Sequence, residues 1–302
     1  MTERIAFIGL GNMGTPMARR LLDANNLVQG FDISEQARAR LADAGGHTAE
    51  TAVDAADRAS VIIFMLPNSE IVESVVEELV TAGVIAEGTL LIDMSSSEPL
   101  RTRALAERVV RAGLALVDAP VSGGVRGAED GTLTIMLGAS DASRDRAHSV
   151  LAALGKVVDC GEVGAGHAIK ALNNLMSATH LLITSEVMEA GIKFGLDPAV
   201  MLEVFNSSSG RSGSTQNKWP NFVLPGTFDS GFGLRLMLKD MRIAAGLAEQ
   251  LGAPLSLGAQ AIEHWGRSAE DLPADADHTL VARWVFDHAD PDDRNDNKEG
   301  AR

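Results

Sequence analysis

The chain has 302 residues, of which 45% are hydrophobic and 22% are charged, values typical of a folded globular protein large enough for about two domains. Its formal net charge of −15 disfavours binding to nucleic acid, whose phosphates it would repel. No apolar run reaches the roughly 18 residues that a membrane-spanning helix needs, and no basic segment followed by an apolar stretch opens the chain, which argues against a secretory signal. A single cysteine, Cys160, and the lack of Cys and His clusters at ligand spacing predict a reducing, cytoplasmic setting and no bound metal.

The first predicted element is a short apolar strand over residues 5–8, which runs into the turn Gly9-Leu10-Gly11-Asn12-Met13-Gly14 and then into an amphipathic helix. In a G-x-G-x-x-G turn the first glycine permits the tight turn, the second lets the backbone approach a pyrophosphate, and the third lets the helix pack on the sheet. The next strand ends at Asp32, where a carboxylate can accept hydrogen bonds from both hydroxyls of an adenosine ribose. This order of elements within about 30 residues predicts a dinucleotide site; the alternative is a glycine-rich turn with a surface aspartate.

Asp32 also predicts which dinucleotide binds. Its charge would repel the 2′-phosphate of NADP, and the following Ile33-Ser34-Glu35 offers no arginine to accept one. The sequence therefore predicts NAD in preference to NADP.

Strand and helix patterns alternate through the first half of the chain. Such alternation with buried strands predicts an α/β domain with a doubly wound, mostly parallel sheet. The predicted strands are residues 5–8, 27–31, 61–66, 90–92, 114–118, 133–137 and 156–159.

From residue 166 the pattern changes to helical spacing. Residues 167–193 contain no proline and predict one long helix that joins two domains. A polar loop is predicted over residues 207–214, and the further predicted helices are 198–206, 234–251, 254–266 and 276–286. We therefore predict a dinucleotide-binding domain over residues 1–162, an all-helical substrate and oligomerisation domain over 163–288, and a disordered acidic tail over 289–302.

Ser122-Gly123-Gly124 follows a predicted strand and the segment Asp118-Ala119-Pro120-Val121. Backbone amides exposed beside a serine hydroxyl could hold a small carboxylate as a nest of donors. A plain β-turn explains the same residues equally well.

Lys170, Asn173 and Asn174 lie three and four residues apart, so on a helix they share one face. A lysine among apolar neighbours is partly desolvated, which would move its pKa toward working pH and allow proton exchange with a substrate hydroxyl. A lysine that reaches solvent beside bridging asparagines is the equal alternative. Taken alone, Lys239-Asp240 is more typical of a solvated face, and His167 of a packing or capping residue.

Four segments in this order resemble the β-hydroxyacid dehydrogenase family, which includes 3-hydroxyisobutyrate dehydrogenase and tartronate semialdehyde reductase and is related to 6-phosphogluconate dehydrogenase. They are the glycine-rich turn with its helix, the segment from Asp118 to Gly124, Gly164-Ala165-Gly166 leading to Lys170 and Asn174, and Lys239-Asp240. The resemblance implies that Lys170 is the catalytic acid and base, that Asn174 orients the reacting hydroxyl with Asn173 beside it, and that the substrate carboxylate is bound by Ser122, Gly123 and Gly124.

The resemblance also implies cofactor contacts outside the first turn. Ser96 matches a cofactor-contacting hydroxyl, Leu66-Pro67 matches a loop on the adenosine ribose side, and Lys239 reaches substrate and cofactor from the helical domain, oriented by Asp240. The loop over residues 207–218 departs from the expected family patterns, and its Arg211 could bind a sulfonate or a second acid group.

We therefore expect a homodimeric or homotetrameric enzyme that transfers a hydride between NAD and a small β-hydroxy acid or the matching semialdehyde. Alternatives are a reductase of sulfonate-aldehydes or imines, the latter disfavoured by Lys170, and a non-catalytic dinucleotide-binding protein. The identity of the acid and the physiological direction stay open.

Overall fold

The computed structural model describes residues 2–288. Nine strands form one sheet in the order β3-β2-β1-β4-β5-β6-β8-β7, with β9 paired to β8. Their bounds are β1 Arg4–Ile8, β2 Leu27–Phe31, β3 His47–Thr48, β4 Val61–Phe64, β5 Leu90–Asp93, β6 Ala115–Asp118, β7 Val121–Ser122, β8 Leu133–Gly138 and β9 Gly155–Gly161.

The strands β1 to β6 pair in parallel, whereas β8 is antiparallel to β6 and β7 and parallel to β9. Residues of β1 alternate between two apolar clusters: Ile5 and Phe7 belong to one, Ala6 and Ile8 to the other. A strand with two buried faces requires helices on both sides of the sheet, which explains its continuous apolar sequence. The predicted doubly wound, mostly parallel sheet is confirmed.

Seven helices connect these strands. They are α1 Gly14–Asp23, α2 Glu35–Asp43, α3 Ala52–Ala56, α4 Ser69–Ala82, α5 Pro99–Val110, α6 Gly124–Asp130 and α7 Asp141–Leu151. Ser34 and Asn68 stand at the N-caps of α2 and α4, and each side-chain oxygen accepts a hydrogen bond from a first-turn amide.

The long helix α8 spans Ala165–Phe194, and the chain divides into two compact units between Ala171 and Leu172, inside this helix. The second unit continues with α9 Pro198–Ser207, a π-helix Ser214–Val223, α10 Leu234–Gln250, α11 Ser256–Asp271, a 3₁₀ turn His278–Leu280 and α12 Val281–Asp287. The predicted helical C-terminal region is confirmed.

The structure differs from the predicted elements in a few places. The two-residue strands β3 and β7 are too short to give a periodic signal. The predicted polar loop ends early, because the π-helix already begins at Ser214. The last predicted helix opens as a 3₁₀ turn, since the Asp277 side chain accepts from the Thr279 amide. The acidic tail predicted over residues 289–302 lies outside the described residues.

Across residues 2–288 we find no helix that combines the length and apolarity needed to cross a membrane. The same residues contain no group of three or more His, Cys, Asp or Glu side chains arranged to hold a metal ion.

Candidate functional site

The glycine-rich turn after β1 has strict steric requirements at two of its glycines. Gly9 has a φ of +101°, and a Cβ atom there would collide with the carbonyl oxygen of Met65. A Cβ atom on Gly14, the first residue of α1, would collide with the carbonyl oxygen of Gly9. At Gly11, by contrast, nothing lies within 4 Å of the Cβ position, so packing within the chain gives no reason for a glycine.

The N-terminus of α1 carries no side-chain acceptor, although the Thr15 amide donates to the Gly11 carbonyl at 3.2 Å. Met13 is the N-cap residue and makes no side-chain capping bond, and the first turn contains no acidic residue. First-turn amides and the positive end of the helix dipole favour an anion at such a position.

Asp32 lies beside this turn because β1 and β2 pair in parallel, with Ile8 opposite Phe31. Its Oδ2 accepts a hydrogen bond from the Leu10 amide at 2.7 Å, and its Oδ1 accepts one from the Ser34 amide at 2.8 Å. Two backbone donors therefore fix the carboxylate at the carboxyl end of β2.

Two arginines of α2, which lie beyond Ile33-Ser34-Glu35 in sequence, reach the same place. Arg38 donates from Nη1 to the carbonyl oxygen of Asp32 at 2.7 Å, and Arg40 donates from Nη2 to the carbonyl oxygen of Leu10 at 3.4 Å. Arg38 and Arg40 lie six and eight residues beyond Asp32, so only the folded chain brings them together.

The loops after β4 and β5 join the same edge of the sheet. The Leu66 amide donates to Ser95 Oγ at 2.9 Å, and the Ser95 amide donates to Asp93 Oδ1 at 2.9 Å. Pro67 and Ser96 are the neighbours of these residues in sequence. The first unit thus brings together the predicted cofactor residues Gly9, Gly11, Asn12, Met13, Gly14, Asp32, Leu66, Pro67 and Ser96, and Lys239 lies on α10 of the second unit.

The predicted carboxylate nest lies at the end of β7. Gly123 and Gly124 have φ values of +132° and +64°, a succession that L-residues with side chains rarely adopt. Lys170 Nζ donates to the carbonyl oxygen of Val121 at 2.8 Å, and the lysine is only 8% exposed. The amine is therefore held one residue from Ser122, so the structure disfavours a lysine that simply reaches solvent.

The buried Asp118 fixes the beginning of α8, and hence Lys170, against the sheet. Asp118 Oδ1 accepts from the Gly164 amide at 2.6 Å and Oδ2 accepts from the His167 amide at 2.8 Å. Burial raises the pKa of this carboxyl group, while the charge interaction with His167 and the two amide bonds oppose the rise. Thr102 Oγ1 donates to the Glu98 carbonyl at 3.1 Å and lies 2.8 Å from His167 Nδ1, so His167 packs at the helix start.

In the second unit, Asn174 is positioned by a buried acid. Its Nδ2 donates to Asp240 Oδ2 at 2.7 Å, and Asn173 Nδ2 donates to Asn174 Oδ1 at 3.3 Å. Asp240 is 1% exposed and lies 3.6 Å from Lys239 Nζ. The Lys239-Asp240 pair is therefore not a solvated face, and sequence reasoning missed Asp240 as the partner of Asn174.

Arg211 lies in the loop between α9 and the π-helix, where its amide donates to the Ser208 carbonyl at 3.3 Å. Its side chain is exposed, and no carboxylate among residues 2–288 forms an ion pair with it.

Sequence reasoning also missed Lys218, which stands in a polar stretch. On the π-helix, Lys218 Nζ donates to Ser177 Oγ of α8 at 2.8 Å, one turn beyond Asn173. Burial lowers the pKa of Lys218 to about 8, against a smaller opposing effect of Asp277. Burial, followed by the Lys218 charge, lowers the pKa of His278 to about 4.

Two family models match the chain in succession. The NAD binding domain of 6-phosphogluconate dehydrogenase matches residues 4–164, and the NAD-binding domain of NADP-dependent 3-hydroxyisobutyrate dehydrogenase matches residues 164–285.

Relatives match over nearly their whole length. The 2-(hydroxymethyl)glutarate dehydrogenase of Eubacterium barkeri is 39% identical over 90% of this chain and 93% of its own. The 3-hydroxyisobutyrate dehydrogenase of Pseudomonas aeruginosa is 39% identical over 92% of this chain and 95% of its own. The solved structure of a Mycobacterium tuberculosis 3-hydroxyisobutyrate dehydrogenase with L-serine has a TM-score of 0.90 at 32% identity and covers 94% of this chain and 99% of its own.

Proposed function

Since the chain belongs to the β-hydroxyacid dehydrogenase family and is an NAD-linked hydroxyacid oxidoreductase, we propose the class of its substrate. We propose that it acts on a small β-hydroxy acid of the 3-hydroxyisobutyrate type or on the matching semialdehyde. We propose residues 1–162 as the cofactor domain and residues 163–288 as the substrate and oligomerisation domain. The observation that carries the proposal is the hydrogen bond from Lys170 Nζ to the Val121 carbonyl, which holds a buried amine beside Ser122-Gly123-Gly124.

The Ser122 hydroxyl and the amides of Gly123 and Gly124 would bind the substrate carboxylate. Consecutive amides in backbone with positive φ point into one concavity, which favours an anion. A substrate held by its carboxylate there presents its hydroxyl carbon to the neighbouring amine, and this positioning supplies much of the rate.

Lys170 would move the proton. Burial disfavours the charged ammonium, so the amine can work in its neutral form. A neutral amine has two N–H donors and one lone pair, so it can hold the Val121 carbonyl and still accept the hydroxyl proton during oxidation. In reduction the protonated amine donates to the carbonyl oxygen.

Asn174, one turn further along α8, would orient the reacting oxygen. Asp240 accepts one of its two amide hydrogens and so fixes the side chain, which leaves the other hydrogen for the substrate. We propose supporting roles for Asn173 beside it and for Lys239, which we assign to both substrate and cofactor.

The residues of the first unit fit a dinucleotide. When bound, its nicotinamide accepts or delivers the hydride. The glycine turn with the uncapped α1 would hold the pyrophosphate, and Asp32 the adenosine ribose, with Leu66, Pro67 and Ser96 lining the same edge. The open space at Gly11 supports this fit, because a ligand would supply the contact that the chain itself lacks. The Asp32 charge supports NAD in preference to NADP.

A substrate with a second acid group is the other candidate, and the exposed Arg211 favours it. The Eubacterium barkeri relative is named for 2-(hydroxymethyl)glutarate, a β-hydroxy acid with two carboxylates. An arginine without a carboxylate partner among residues 2–288 could bind the second one.

We also propose a homodimer or homotetramer, supported by an apolar stripe on α8. Five of its side chains are exposed by 43 to 56% at intervals of three, four and seven residues, which suits burial against a second copy. They are Ile169, Leu172, Met176, Ile183 and Val187. The single cysteine supports a cytoplasmic location.

The experiment is a substrate panel followed through NADH absorbance. It includes 3-hydroxyisobutyrate, 2-(hydroxymethyl)glutarate, L-serine, glycerate and sulfolactate with NAD⁺, and a cyclic imine with NADH. We expect the highest kcat/KM with a β-hydroxy carboxylic acid. Turnover confined to the sulfonate or the imine would contradict the substrate assignment, and NADH binding without any turnover would favour the non-catalytic alternative.

Arg211 is tested in the same panel. Arg211→Ala should lower kcat/KM for the dicarboxylate by about tenfold and leave the monocarboxylates unchanged, because only the former loses a charge-assisted bond. The control is Arg267→Ala, which removes another exposed arginine, on α11. Equal effects of the two variants would remove Arg211 from substrate recognition.

A further inference from the structure

We propose that the cofactor site has a latent affinity for the 2′-phosphate of NADP, supplied by Arg40 with help from Arg38, and that the Asp32 carboxylate alone suppresses it. This inference rests on the proposed function, in that it assumes a dinucleotide bound along the glycine turn with its adenosine ribose at Asp32.

Arg40 and the Asp32 carboxylate hold the same residue of the turn. The Leu10 amide donates to Asp32 Oδ2 at 2.7 Å, and the Leu10 carbonyl accepts from Arg40 Nη2 at 3.4 Å. The side chain of Arg40 is exposed, whereas Leu10 is fully buried. An exposed guanidinium is therefore bonded to Leu10, the same residue whose amide is bonded to the carboxylate that would bind the ribose.

Arg38 adds a second positive charge near Asp32. Its Nη1 donates to the Asp32 carbonyl at 2.7 Å, and its Nη2 lies 3.5 Å from the highly exposed Glu50 carboxylate. Ion pairs at the surface are weak and screened by salt, so Glu50 neutralises this charge only in part.

Neither arginine forms an ion pair with the Asp32 carboxylate. Within the described part of the chain, no ion pair within 4 Å joins this carboxylate to Arg38 or Arg40, and both of its oxygens accept backbone amides, those of Leu10 and Ser34. The exposed Arg40 guanidinium is therefore the one open to a ligand, whereas Arg38, already bonded to the Asp32 carbonyl and Glu50, contributes mainly its positive charge.

Replacement of Asp32 would change the site in three ways at once. It would remove the charge that repels a phosphate, it would free the Leu10 and Ser34 amides as donors, and it would leave two guanidinium groups nearby. Backbone amides together with arginine are the usual partners of phosphate groups in proteins. Asp32 is thus the specificity-determining residue, and Arg40 is the group on which the alternative specificity depends.

The test compares direct binding of NADH and NADPH by nicotinamide fluorescence, which needs no turnover. The variants are Asp32→Ser, Asp32→Ser with Arg40→Ala, and Asp32→Ser with Arg111→Ala. Arg111, an exposed arginine at the C-terminus of α5, is the matched control for loss of one positive charge.

For Asp32→Ser we expect NADPH affinity to rise by about 10- to 100-fold, the range of one or two charge-assisted hydrogen bonds, and NADH affinity to fall by about tenfold. Arg40→Ala should remove the NADPH gain without a further change in NADH affinity, whereas Arg111→Ala should keep it. The NADPH gain should also shrink with added salt, because an exposed guanidinium is screened.

Several results would overturn the proposal. An Asp32→Ser variant that binds NADH but gains nothing for NADPH contradicts the latent site, and a gain that survives Arg40→Ala contradicts the assignment to Arg40. If Asp32→Ser fails to fold, Asp32→Asn is read in the same way, since it keeps one acceptor for the backbone amides. A wild-type protein that binds neither cofactor would instead contradict the proposed function.

Discussion

The two compact units of this chain position their candidate functional groups in different ways. In the first unit these groups follow the neighbouring strands β2, β1, β4 and β5, and parallel register alone brings the strand ends to one edge. In the second unit Asn174 and Lys218 are held by side chains 66 and 41 residues away in sequence. A site at the strand ends of a parallel sheet can therefore be found from a sequence motif. A polar site on helices depends on side-chain hydrogen bonds between distant residues, which the sequence does not reveal.

The two units also differ in how strongly a single substitution would affect their polar contacts. Along the sheet edge, backbone amides fix the Asp32 carboxylate, and backbone donors are present whatever the neighbouring side chains are. In the helical unit the partner of Asn174 is the buried Asp240. A buried polar group left without its partner costs about 1–3 kcal/mol, so such pairs are sensitive to single substitutions.

We expect the largest effect at Lys170, which lies on α8 but whose amine is bonded to the Val121 carbonyl of β7. Lys170→Ala should lower kcat by about 10²- to 10⁴-fold, the usual contribution of general acid–base catalysis, and leave NADH affinity unchanged. Steady-state kinetics and fluorescence titration measure the two effects. The control is Lys156→Ala, an exposed lysine of β9. Near-normal turnover in Lys170→Ala would remove this residue from the mechanism.

Two glycines of the turn after β1 meet different requirements, Gly11 for ligand binding and Gly14 for folding. Gly11→Ala should weaken NADH binding by about tenfold at an unchanged Tm, because the new methyl group meets only a ligand. Gly14→Ala should lower Tm, since its methyl group meets the Gly9 carbonyl. Titration and thermal unfolding separate the two variants, and a lower Tm for Gly11→Ala would contradict the assignment.

Lys218 gives the smallest expected effect and tests the buried polar contacts of the second unit. Its pKa is about 8 in the folded chain, below its usual 10.5, so the unfolded chain binds more protons between these values and stability rises with pH across that window. The free energy of unfolding of the wild type, relative to Lys218→Met, should therefore increase by about 1–2 kcal/mol from pH 8 to pH 10.

Urea unfolding at both pH values measures this difference. Lys193→Met, an exposed lysine at the end of α8, is the control and should show no such change. A wild-type advantage that stays constant with pH would show that Lys218 is not desolvated.

Most of the fold could be predicted from sequence because its strands are continuous apolar runs and its helices have long periodic faces. The seven predicted strands are present within a few residues, whereas β3 and β7 have only two residues each and carry no periodic signal. The π-helix was missed since Pro220 and a polar composition indicate a loop, although a π-helix tolerates both here.

For the candidate site, sequence identified residue types and the tertiary structure supplied their partners. The glycine turn and Asp32 were visible because a parallel strand pair makes residues 22 positions apart into neighbours by register alone. Four contacts were not visible in the sequence, since each depends on where a helix packs. They are the Lys170 bond to Val121, the bonds of Asp118 to the start of α8, the bond of Asn174 to Asp240, and the two arginines near Asp32.

The fold class, the dinucleotide fingerprint and the family follow from the amino-acid sequence, because they depend on periodicity, turn sterics and residue order. The desolvation of each polar group and the partner that it faces become known only from the folded chain. The charge state and orientation of a side chain depend on the atoms within a few ångströms, and those atoms come from distant parts of the chain.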